Sequence, residues 1–89
     1  MSSAEIQVAN RLGLHARAAA RFVHLANRFD SRISVSKEGS RVDGKSILGL
    51  LTLAACKGTR LLVEAEGPDE DRALSELVQL VRDRFGEDG

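Results

Sequence analysis

His15 is the residue of this 89-residue chain best placed to do chemistry. It follows Gly13-Leu14 and precedes Ala16-Arg17-Ala18-Ala19, where a helical period begins. The backbone N–H groups of Ala16, Arg17 and Ala18 would lack intrahelical partners and would point out of that helix end, beside the imidazole. Unpaired donors and the positive end of the helix dipole together form an anion site. The same positive end, with Arg17, favours an uncharged ring. A neutral ring nitrogen is what nucleophilic attack on phosphorus requires. After transfer, the phosphoryl oxygens would meet the backbone donors and the Arg17 guanidinium. On residue types alone, the commoner reading is a histidine that ends a helix beside a solvated arginine, because short motifs are loose. Only a wider pattern decides between the two.

The elements that must position His15 follow from periodicity. Ile6 and Val8 alternate with polar residues, which predicts a strand over residues 4–9. Residues 10–14 contain Gly13 and predict a loop. Over residues 16–28 the period becomes helical, with Ala19, Phe22, Val23 and Ala26 on one face and Arg17, Arg21, His24 and Arg28 on the other. Ile33 and Val35, the Glu38-Gly39 turn and Val42 predict a β-hairpin. Lys45-Ser46 opens a short helix over residues 47–54, closed by Lys57-Gly58. Leu61, Val63 and Ala65 mark a last strand. Pro68-Asp69 starts the final helix with Asp69 as N-cap, Glu70 and Asp71 at its positive end, and Arg82 and Arg84 at its negative end. Leu74, Leu77, Val78, Val81 and Phe85 form its apolar stripe, and the tail 87–89 is expected to fray. The order β-α-β-β-α-β-α gives an α+β fold. Its four-stranded antiparallel sheet is covered on one face by three helices, an open-faced sandwich within one domain spanning 1–89. Periodicity leaves the strand order open.

Size and charge exclude several function classes. A chain this short buries a shallow core: about 60 residues bury only about 60% of their unfolded surface. No deep cofactor pocket is expected, and no cofactor. Thirteen basic and thirteen acidic residues cancel, which argues against a nucleic-acid partner. The lone Cys56 can form no internal disulfide. The first residues lack the basic start and apolar run of a signal peptide, and the longest apolar run, ILGLLTLAAC, is too short to insert across a bilayer. A cytoplasmic location is therefore expected.

An autonomous enzyme is the main competing class. No phosphate-binding G-x-x-x-x-G-K-[ST] loop is expected, no compact carboxylate set would hold Mg²⁺, and no spacing suggests a Ser-His-Asp triad. No metal site is expected either. His15 and His24 are separated by about two and a half helical turns, so their rings would point apart.

The run Asn10-Arg11-Leu12-Gly13-Leu14-His15-Ala16-Arg17 closely resembles the active-site motif of the HPr family, the histidine-containing phosphocarriers of the bacterial phosphotransferase system. The resemblance covers nearly the whole chain. It takes in Phe22-Val23, Gly44-Lys45-Ser46-Ile47, Lys57-Gly58-Thr59, and the segment from Glu64 to Glu70. It implies an open-faced β-sandwich of the same element order, and a carrier rather than an enzyme. His15 would bear the phosphoryl group on Nδ1, supported by Arg17. Enzyme I would be the donor, and a sugar-specific or nitrogen-branch enzyme IIA the acceptor. A monomer is expected. One departure is Ala18, which stands where many members have proline. It should keep the helix and add a donor.

The partner surface is expected beside His15. The basic helix face could steer an acidic partner, although such a face is as often simply solvated. In the short helix, Leu50, Leu53 and Ala54 share an arc suited to the core, while Ile47, Leu48 and Leu51 share another that would face outward. Such a patch generally marks docking, unless the helix is more deeply buried. The resemblance implies that Ile47, Leu48 and Leu51, with Ala20, Arg21 and His24, belong to that surface. Ser46 suits an N-cap. In some HPr proteins the corresponding serine is phosphorylated by a dedicated kinase, which here would add about −1.5 to −2 charges beside the patch. The alternative function is a regulatory protein-binding module controlled through Ser46 without phosphate transfer. The presence of both His15 and Arg17 favours the carrier.

Overall fold

The computed structural model describes residues 1–88. The chain runs β1 (Ser2–Gln7), α1 (Ala16–Ala26), β2 (Arg32–Lys37), β3 (Ser40–Asp43), α2 (Ile47–Thr52), β4 (Arg60–Glu66) and α3 (Glu70–Arg82), then a 3-10 turn (Arg84–Gly86). The expected α+β architecture is observed. The sheet is antiparallel throughout, in the order β1-β4-β2-β3. β4 is therefore central, and Val63 pairs with Ala4 on one side and Val35 on the other.

Alternation in the strands creates one buried face. Ile6, Ile33, Val35, Leu61, Val63 and Ala65 point into the core, while their neighbours Glu5, Gln7 and Leu62 are exposed. The helices complete that core. α1 contributes Ala18, Ala19, Phe22, Val23 and Ala26, and α3 contributes Ala73, Leu77 and Val81. All three phenylalanines are buried, so the few aromatic residues of the chain fill the interior.

Several boundaries differ from the periodicity. β1 covers residues 2–7 rather than 4–9, and α1 stops at Ala26, leaving Arg28 beyond it. α2 ends at Thr52. Gly58 therefore does not close the helix but turns the chain at Cys56–Thr59, where the Thr59 amide donates to the Cys56 carbonyl. Ala54, expected in the core, is exposed with φ +50. Leu51, expected outside, is half-buried against the core. Ile47 and Leu48 are exposed as expected. Six residues are under two turns, too short for two clean faces.

Phe85 does not continue the α3 stripe. Arg84 and Phe85 adopt φ +58 and +54, which breaks the helix and turns Phe85 back into the core. Glu87 is consequently half-buried rather than trailing, while Asp88 is exposed; Gly89 lies outside the described residues.

Asp69 occupies the N-cap position of α3 but makes no capping bond with its side chain. Its carboxylate instead accepts from the Asp30 amide (2.9 Å), the Ser31 amide (3.0 Å) and the Ser31 hydroxyl (2.5 Å). These bonds, the Ser31 hydroxyl foremost, hold the Asp69 carboxyl below the usual carboxylate range. Glu70 is likewise held low, mainly by the Met1 amine at 3.0 Å and the Ser2 hydroxyl at 2.8 Å. A carboxyl lowered in the folded state adds stability above its unfolded pKa and loses it as pH falls through the lowered value. Asp69→Ala should therefore melt below the parent protein at neutral pH, and the gap should shrink in acid, below about pH 4. Thermal melts at stepped pH check this.

Leu50 is 1% exposed and Leu48 77% exposed. Leu50→Ala should cost about 2–5 kcal/mol, whereas Leu48→Ala should stay within about 0.5 kcal/mol. Denaturant titration of the two variants separates them.

Candidate functional site

The approach to α1 is a tight loop locked from both sides. The Gly13 amide donates to the Asn10 carbonyl at 3.2 Å, and the Asn10 side-chain amide returns a bond to the Gly13 carbonyl at 2.7 Å. The Leu14 amide donates to the Ala55 carbonyl at 2.9 Å, and the Leu14 side chain is buried. Gly13 has φ +70, and a Cβ there would lie 2.5 Å from the Ala55 oxygen. Only glycine lets the loop pass so close to that backbone.

His15 emerges from this loop as the N-cap residue of α1, with extended backbone angles and no capping bond from its side chain. The first intrahelical bond runs from the Ala19 amide to the His15 carbonyl at 2.8 Å. The amides of Ala16, Arg17 and Ala18 thus precede the helical ladder. The imidazole Nε2 lies 2.5 Å from a carboxylate oxygen of Glu87, at the far end of the chain. The two side chains are 28% and 12% exposed, so the contact is partly shielded. The other Glu87 oxygen accepts from the Asn10 side-chain amide at 2.9 Å. That bond is the main cause holding the Glu87 carboxyl below the usual range; His15 adds to it, and burial opposes it. An ionised carboxylate only accepts, so this contact calls for a proton on Nε2, and in the neutral ring Nδ1 then keeps its lone pair.

Between the start of α1 and the tail lies a shallow hollow of about 340 Å³, lined by Arg11, Leu12, Arg17, Arg21, Gly86, Glu87 and Asp88. Arg17 is exposed, and none of the ion pairs among the described residues involves it. Arg21 donates to the Phe85 carbonyl and so holds the turn that carries Glu87. A larger hollow of about 500 Å³ lies beside β2 and β3 and shares no residue with this one.

The family description "PTS HPr component phosphorylation site" matches residues 2–83. The chain belongs to the HPr family of phosphocarrier proteins. It is 50% identical over 88 residues to the phosphocarrier protein HPr of Pseudomonas aeruginosa, with 98% of each chain covered. Among solved structures, it is similar to HPr-C-His from Thermoanaerobacter tengcongensis, at TM-score 0.96, 42% identity and full coverage of both chains. It is also similar to the HPr dimer of that organism, at TM-score 0.78 and 42% identity over 98% of this chain and 100% of the other. HPr proteins are phosphocarriers of the phosphotransferase system rather than catalysts.

Residues expected at the HPr site fall into three groups. His15, Ala16 and Arg17 gather at the α1 entrance, with Ala18 buried directly behind them. Ala20, Arg21 and His24 are exposed further along α1. Ser46, Ile47, Leu48 and Leu51 lie on α2 and its cap, and α2 packs against α1. Ser46 caps α2 as expected, its hydroxyl accepting from the Gly49 amide at 3.0 Å. Glu87, Asn10 and Arg11 are the additions. Asn10 and Arg11 stand within the His15 motif, but nothing local marks Glu87.

Contrary to expectation, the phosphate-loop string is present, since Gly39 to Ser46 spells G-x-x-x-x-G-K-S. In the fold this string is not a cradle. Ser40–Asp43 are strand β3, Lys45 donates to the Phe29 carbonyl at 2.8 Å, and Ser46 caps α2. Among the described residues, no group of three or more His, Cys, Asp or Glu could hold a metal, and no helix is long and apolar enough to cross a membrane.

Gly13→Ala should destabilise the fold by more than about 1 kcal/mol, since it combines strain at positive φ with a backbone clash. Equilibrium unfolding beside Gly39→Ala checks this. Gly39 is also at positive φ, but a Cβ there meets nothing, so its loss should be smaller.

Proposed function

We propose that His15 accepts a phosphoryl group on Nδ1 from enzyme I and passes it to an enzyme IIA. The observation that carries this reading is the engagement of Nε2 by Glu87 at the mouth of α1, which leaves Nδ1 as the nucleophile. The amides of Ala16, Arg17 and Ala18 receive the phosphoryl oxygens at the helix end. Arg17 has no competing ion pair and clamps the added charge.

Both donor and acceptor dock over the exposed Ile47 and Leu48, with Leu51 as the floor of the patch and Ala20, Arg21 and His24 beside it. Ser46 lies at the rim, and a kinase that phosphorylated it would place negative charge against an acidic partner. On this reading the protein acts as a monomer. A cytoplasmic location follows from the same role.

Incubation with enzyme I and phosphoenolpyruvate should label His15 alone, and His15→Ala should take up no label while keeping its fold. Label at His24 would contradict the assignment. Arg17→Ala should slow transfer about tenfold or more with a nearly unchanged melting midpoint, as expected for one charge-assisted contact to the phosphoryl group. An unaltered rate removes Arg17 from the clamp.

Leu48→Ala and Ser46→Asp should each weaken binding to enzyme I in calorimetric titration. Normal binding by both would put the docking surface elsewhere.

A further inference from the structure

We propose that Glu87 is a positioning residue that keeps the proton on Nε2 of His15 through the whole transfer cycle, so that the ring both accepts and releases phosphate as a neutral imidazole. The proposal rests on His15 being the phosphoryl carrier, and it concerns a residue outside the His15 motif.

The chemistry follows from the ring's two nitrogens. In the accepting step, the Nδ1 lone pair attacks phosphorus and a P–N bond forms. The bond from phosphorus to the donor's leaving atom breaks, and its electron pair stays with the donor. His15 then bears phosphate on Nδ1 and still holds a proton on Nε2, so the ring is cationic. In the delivery step, the P–N bond breaks and its pair returns to Nδ1, giving back neutral imidazole with the same Nε2–H. No proton moves in either step. If Nε2 lost its proton in between, the leaving group would be imidazolate, a far stronger base and a poor leaving group. An anionic acceptor hydrogen-bonded to Nε2 opposes that loss.

Glu87 is suited to the task. Its Oε2 is 2.5 Å from Nε2, and its Oε1 is fixed by Asn10 at 2.9 Å. Asn10 is fully buried and also braces the Gly13 carbonyl, so one side chain aligns the loop before His15 and the carboxylate beyond it. The Arg21 bond to the Phe85 carbonyl anchors the turn from the other side. The charged groups around the pair are Arg11 on the loop, Arg17 and Arg21 on α1, and Asp88 on the tail. The Asn10 bond first, then the His15 contact and Arg21, hold the Glu87 carboxyl low. The three cations weaken its hold on the cationic ring, so the direct contact must outweigh them.

The test is the pH dependence of hydrolysis of the isolated phosphoprotein, with water as acceptor. The rate should fall at alkaline pH as Nε2 deprotonates. That fall should begin at lower pH in Glu87→Gln, so that on the alkaline limb the variant hydrolyses about tenfold more slowly than the parent protein. Glu87→Asp, which keeps the charge, should recover part of the difference. Gln can still accept a bond from Asn10, so a purely structural role would alter the melting curve and leave the pH profile in place. Superimposed profiles for the parent protein, Glu87→Gln and Glu87→Ala would overturn the proposal.

Failure of the parent protein to take up phosphate from enzyme I would overturn the carrier reading instead. The Glu87 contact is then judged on the unphosphorylated protein. Its Nε2-bound proton should be detectable by NMR in the parent and lost to solvent exchange in Glu87→Ala. An equally exchangeable proton in both would count against Glu87.

Discussion

The bond from the Leu14 amide to the Ala55 carbonyl, 2.9 Å long, sets the point at which the chain enters α1. Everything at the site follows from that point. Gly13 must pass against the Ala55 backbone for the bond to form, and Leu14 must be buried. His15 then has nowhere to go but the helix mouth. From there its carbonyl starts the helical ladder, and the three amides that follow remain outside the ladder. An imidazole and three amides outside the helical ladder are thus set side by side by backbone geometry, the arrangement on which the proposed phosphoryl site rests. That suits a protein whose ligand is another protein's phosphoryl group: the site must be open, yet its donors must be fixed in advance.

Carboxylates fasten this small fold across long sequence distances. Asp69 ties the start of α3 to the turn before β2, and Glu70 ties it to the first residues of β1. Glu87 ties the tail to the loop before α1. All three carboxyls are held below their ordinary range by the groups that bind them. The first two fasten structure to structure. Glu87 fastens the tail to the His15 ring, the contact on which its proposed positioning role rests.

The sequence made the α1 site and the sheet legible because both rest on local patterns. Alternation marked the strands, and a 3.6-residue period with a glycine just upstream marked the helix mouth. The strand order required knowing which buried edges meet, and no single strand carries that information. Leu51 and Ala54 were misplaced because α2 is too short for its period to fix two faces. Glu87 was out of reach for a different reason. It lies 72 residues from His15, in a polar tail without a period. Its position depends on Phe85 folding inward at positive φ, a conformation that composition does not announce. Asp69 looked like a cap because aspartate before a helix usually is one, but Ser31 offered its carboxylate three donors' worth of competition together with Asp30.

The central claim is that Nδ1 of His15 is the atom that bears phosphate while Nε2 keeps its proton. With histidine labelled by nitrogen-15, NMR of the protein phosphorylated by enzyme I reads both facts at once. A one-bond phosphorus–nitrogen coupling should appear at Nδ1 of His15, with a bound proton at Nε2. Coupling at Nε2 of His15, or at either nitrogen of His24, would contradict the account.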